Sequence, residues 1–70
     1  MRDLIEGYYN LRQQSDGLKS IHRFEALPWT EHDGQAVRRT EDGWKLSVYR
    51  VEGDIEACVS NPDGTCSTYS

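Results

Sequence analysis

The chain has no run of apolar residues long enough to cross a bilayer or to act as a signal peptide. A soluble protein is expected, with the cytoplasm as its default compartment. Basic residues are also short: eight Lys and Arg stand against twelve Asp and Glu, a net charge of -4. An acidic chain repels phosphate, so direct nucleic-acid binding is disfavoured as a primary role and basic partners are favoured. Metal-ligand spacing is missing. Cys58 and Cys66 lie eight apart, His22 and His32 ten apart, and neither pair fits the close CxxC or HxxxH spacing of zinc sites. No nucleophile elbow, phosphate-binding loop or HExxH run occurs. No enzymatic activity, metal or cofactor is expected.

Length is limited as well. Seventy residues make one small domain, and such a chain buries only about 60 % of its unfolded surface. Apolar residues amount to 36 %, so the seven aromatic residues must supply much of the core: Tyr8, Tyr9, Phe24, Trp29, Trp44, Tyr49 and Tyr69.

The opening segment carries helix signals. Leu4, Tyr8 and Leu11 recur on one stripe with Ile5 and Tyr9 beside it. Asp3 can cap, with Glu6 three residues later, and Gly17 can take the left-handed position that ends a helix. The helix is placed at about residues 4–16. Gly7 weakens it by roughly 1 kcal/mol relative to alanine, so tertiary packing must hold it.

Beyond Lys19 the period changes. Gly34, Gly43, Gly53 and Gly64 each lie beside an Asp at steps of nine to eleven residues, which marks the turns of an antiparallel meander. Strands are expected at about 20–27, 35–41, 44–52, 55–61 and 65–69, the first ended by Pro28. A two-residue Gly53-Asp54 loop sets Val48 opposite Val59, and a three-residue Pro62-Asp63-Gly64 loop sets Ala57 opposite Tyr69. Trp44, Leu46, Val48, Ile55, Ala57, Val59 and Tyr69 then share one face. At the Asp42-Gly43 turn either Val37 or Ala36 lies opposite Val48. The fold class is α+β, with an N-terminal helix packed on one face of a four- or five-stranded antiparallel β-meander. Tyr49, Val51 and Cys58 are left on the other face. Cys58 and Cys66 are diagonal neighbours there, and a chain without an export signal favours free thiols.

Alternate turns of a meander share an end, which gathers Glu31, Asp33, Glu52, Asp54 and Glu56 along one rim. A solvated rim is the common meaning of turn acids. The functional reading is a patch that docks on a basic surface of a larger protein, with Trp29 as an anchor or, alternatively, a lid over the sheet. Such a module suits an inhibitor or regulatory adaptor of the kind that phages and mobile elements encode against host nucleic-acid machinery, CRISPR effectors included, acting in the host cytoplasm. That likeness is of size and charge alone. The alternatives are a structural homodimer or assembly subunit, and a nucleic-acid binder using Arg38, Arg39 and Lys45. A strand with one arginine outward and one at the sheet edge, pairing with nearby acids, is the plainer account of Arg38 and Arg39.

Overall fold

A computed structural model describes residues 2–70. Two helices come first, α1 (Arg2–Gln14) and α2 (Asp16–Lys19). Five strands follow: β1 (Thr30–His32), β2 (Gln35–Arg39), β3 (Lys45–Val51), β4 (Asp54–Ser60) and β5 (Cys66–Tyr69). They form one antiparallel sheet in the order β1-β2-β3-β4-β5, the meander expected from the turn spacing. Helix α1 lies across β3 and β4, so the fold is a helix layer on an open sheet.

The core fills the space between the layers. Leu4 and Tyr8 descend from α1 and Leu18 from α2, to meet Ala36, Leu46, Val48, Ala57 and Val59 of the sheet. Leu18, Leu46 and Val48 are wholly buried. Trp29, Trp44, Ile55 and Tyr69 close the margins. Gly17 is part of this packing. It sits inside α2, not at a left-handed helix end, and a Cβ there would lie 2.8 Å from Cε2 of Tyr69. The first helix therefore stops at Gln14, and a second turn capped by Ser15 begins immediately. The Leu18 amide donates to Ser15 Oγ at 3.3 Å. Asp3 lies within the first turn of α1 instead of at its cap.

The segment expected as a strand at 20–27 is not one. It is a pair of tight turns, in which the Glu25 amide donates to the His22 carbonyl and the Leu27 amide to the Phe24 carbonyl. Ile21, Phe24 and Leu27 are three residues apart, which in turns gathers them on one side. Phe24 is buried there, with Ile21 and Leu27 packed against the core. The fifth strand is supplied instead by Thr30–His32.

The register agrees with expectation at one turn and departs at another. Ala57 faces Tyr69, and the Asn61 amide donates to the Thr65 carbonyl across the Pro62-Asp63-Gly64 loop. Between β3 and β4, Val48 faces Ala57 and Leu46 faces Val59, a slip of two residues from the expected pairing. The turn residues are Glu52-Gly53, both with positive φ (52° and 89°), the requirement of a type I′ hairpin. Asp33-Gly34 repeats that geometry, with φ of 51° and 77°. At the remaining turn Ala36 faces Val48, which selects the three-residue Glu41-Asp42-Gly43 loop.

Candidate functional site

The two type I′ hairpins lie at the same end of the sheet, so all five rim acids belong to that end. They do not form one cluster. Asp54 pairs with Val51 and Glu56 with Tyr49, which places both acids on the face away from α1. Glu31 pairs with Ala36, a core residue, and so lies on the helix side at the β1 edge. Two strand spacings, about 10 Å, separate β1 from β3. Among the described residues no three His, Cys, Asp or Glu side chains approach closely enough to hold a metal ion. The coherent patch is the β3–β4 hairpin alone.

Within that hairpin Val51 is an exposed aliphatic side chain, bordered by exposed Glu52 and Asp54 and half-buried Glu56. The Tyr49 hydroxyl reaches Glu56 Oε1 at 3.5 Å. None of these three acids forms an ion pair with another described residue. Asp33 alone among the rim acids meets a possible cation, His32 Nε2 at 3.3 Å. Arg50 is close in sequence, but it faces the helix side with Ile55, and its guanidinium donates to the Gly53 carbonyl at 3.5 Å.

Trp29 belongs to a different surface. It is half-buried, with its ring edge-on to Tyr8 at 5.5 Å and the Arg38 guanidinium over it at 4.1 Å. This is the packing of a lid over the core, remote from the hairpin acids.

Arg38, Arg39 and Lys45 do not make one basic surface either. Arg39 and Lys45 face each other across the β2–β3 ladder, whereas Arg38 pairs with Leu46 and is only 7 % exposed. Its Nη1 donates to the Phe24 carbonyl at 3.0 Å and its Nη2 to the Tyr9 hydroxyl at 3.2 Å. Arg38 thus ties the sheet to α1 and to the 22–27 turns. An inward arginine was missed because alternation alone assigns no chemistry to a face. Parity supplied part of the signal: whichever of Ala36 and Val37 faces Val48, one of Arg38 and Arg39 must share the inner face, and the Ala36–Val48 pairing makes it Arg38.

Two ionisable groups near Arg38 are shifted. Burial pushes the Tyr8 phenol up, although the Arg12 and Arg38 guanidiniums pull it the other way. Glu25 is held below the usual carboxylate range, first by its hydrogen bond with His22 and further by Arg12 at 2.8 Å.

On the face away from α1, Cys58 and Cys66 form a disulfide across β4 and β5, with Cα atoms 6.2 Å apart. The diagonal placement expected from the sequence holds, since Cys58 faces Thr68 and Cys66 faces Ser60. The expectation of free thiols does not, because a diagonal pair at this Cα separation is within bridging reach. Next to the bridge a row of small side chains crosses the sheet, with Val37 and Ser47 buried in it.

No family model, curated protein or solved structure significantly matches the chain.

Proposed function

We propose that the chain is a non-enzymatic protein-binding module that docks through its β3–β4 hairpin on a Lys/Arg-rich surface of a larger protein. The observation that carries this reading is Val51, exposed at the sheet end and bordered by Glu52, Asp54 and Glu56, none of which is paired with a cation among the described residues. An apolar centre with a charged border is the arrangement of a binding patch, in which the border steers association and fixes orientation. Glu31 and Asp33 extend the negative field along the same end and contribute to approach more than to contact. Trp29 is assigned to the lid and not to the interface. The mode of action is that of an inhibitor or regulatory adaptor, occupying a surface that normally holds nucleic acid or another acidic ligand. Cytoplasmic action belongs to this reading. The Cys58–Cys66 bridge weighs against that compartment, because reducing conditions keep thiols open.

The test is capture of a partner from the native host, followed by affinity measurement across a salt series. Reversal of all three hairpin acids (Glu52→Lys, Asp54→Lys, Glu56→Lys) is expected to weaken binding at least about tenfold and to flatten its salt dependence. An affinity unchanged by the reversal rejects the patch.

A second reading is a homodimer through β5. This strand is the last in an open sheet, largely exposed, and carries neither Pro nor Lys to discourage pairing. Light scattering decides between the two, since a monomer at micromolar concentration is incompatible with an obligate dimer.

A further inference from the structure

Among the described residues Arg38 is the only charged side chain that is buried, and none of its partners carries a charge. A guanidinium offers five N–H donors. Two of Arg38's meet the Phe24 carbonyl and the Tyr9 hydroxyl, while Nε has no partner. No carboxylate of the described residues lies within ion-pair distance of it. The Trp29 face at 4.1 Å attracts a cation but does not neutralise it. A buried charge is expensive unless an opposite charge or a full set of hydrogen bonds compensates it.

A cavity of about 180 Å³ adjoins this group, between α1, the 22–27 turns and β2. Phe24 and Ile21 supply its apolar walls, and Tyr8 and Tyr9 bring phenols. Arg12 and Glu25 line it as well, but each answers the other at 2.8 Å, with His22 also on Glu25 at 2.9 Å. Arg38 is therefore the lining charge left without a counter-ion. The Tyr8 hydroxyl, a neutral phenol, lines the same cavity.

The geometry points to a binding site for a small apolar monocarboxylate of about benzoate size, its carboxylate on the remaining Nη N–H groups of Arg38 and its tail against Phe24 and Ile21. A carboxylate matches the planar fork of a guanidinium. One negative charge balances one arginine, whereas a phosphate dianion would add surplus charge beside Glu25. The size follows from the cavity, since a pocket of about 150 Å³ accommodates benzene. The site lies on the helix side of the sheet and is independent of the hairpin patch, so its failure leaves the docking reading untouched.

The test is titration of the full chain with benzoate, benzamide and inorganic phosphate, followed on the Arg38 Nε–H resonance. Benzoate is expected to saturate with Kd below about 1 mM, and uncharged benzamide to bind at least about tenfold more weakly. Benzoate, and not benzamide, should also raise the thermal midpoint of the wild-type chain. Arg38→Gln should lower benzoate affinity at least about tenfold. Should that variant not fold, the three wild-type titrations decide alone. Failure of benzoate to saturate at about 20 mM, equal binding of benzamide, or tighter binding of phosphate overturns the assignment.

Discussion

Gly7 of α1 lies so close to Ile55 of β4 that a Cβ at position 7 would come within 2.6 Å of the Ile55 Cγ1. The glycine that weakens the helix by itself is what lets the helix reach the sheet. Gly7→Ala, which on an exposed helix would gain about 1 kcal/mol, is therefore expected to lose about 1–3 kcal/mol through overpacking. Urea unfolding measures it. In the double variant with Ile55→Ala the two losses should sum to more than the observed loss, because the second truncation relieves the clash. Stabilisation by Gly7→Ala alone would show that the helix has room to shift.

Glu52 occupies a left-handed position, φ 52°, at the first central residue of its hairpin. Asn accepts that conformation more readily than Glu. Glu52→Asn should then stabilise the fold by about 0.5–1 kcal/mol. If the side chain serves docking, the same variant should bind the partner more weakly. Greater stability with weaker binding is the expected combination, and a loss of stability would remove the conformational account.

Cys58 and Cys66 close a short loop across β4 and β5. Opening it restores freedom to the unfolded chain, and for a loop of this length the chain-entropy relation gives about 2–3 kcal/mol. Replacement of both residues by serine should lower stability by that amount in urea, with the far-ultraviolet spectrum of the folded state unchanged. Equal stability of the oxidised and reduced wild-type chain would contradict this.

Acid titrates a specific contact. The folded-state pKa of Glu25 is lowered, chiefly by its hydrogen bond with His22. A depressed carboxyl contributes stability above its ordinary value of 4.5 and loses it as pH falls through the lower folded value. Glu25→Gln should flatten that part of the acid limb in a pH series of urea midpoints. An acid limb identical to the wild type would assign the loss to other carboxylates.

The sheet was readable because its alternation is strict: Leu46, Val48, Ala57, Val59 and Tyr69 fall on one face in the structure as in the pattern. Even the two-residue slip at the β3–β4 turn preserved that face, since side chains alternate with period two. The slip arose from reading Asp54 as a turn residue. A type I′ turn places glycine second, as Asp33-Gly34 already shows, and so selects Glu52-Gly53. The 20–27 segment was misread because Ile21, Phe24 and Leu27 are apolar without alternating, and their spacing of three belongs to turns. The hairpin acids were legible as a sheet end, but Glu31 was not separable from them until its pairing with Ala36 fixed its side. Parity requires one of Arg38 and Arg39 to point inward, but the length of the Asp42-Gly43 turn decides which, and burial of a lone arginine depends on what covers it. Here that cover is Tyr9, Phe24 and Trp29, which lie 9–29 residues away along the chain.

The helix that seals the core comes from the opposite end of the chain to the strands it covers. Each hairpin can zip up from neighbours in sequence, but the contacts of Gly7 with Ile55 and of Gly17 with Tyr69 must wait until segments about fifty residues apart meet. Closure at long range is the slow event in such topologies. Until it happens Leu46, Val48 and Val59 face water, and that interval is when this chain is most prone to self-association.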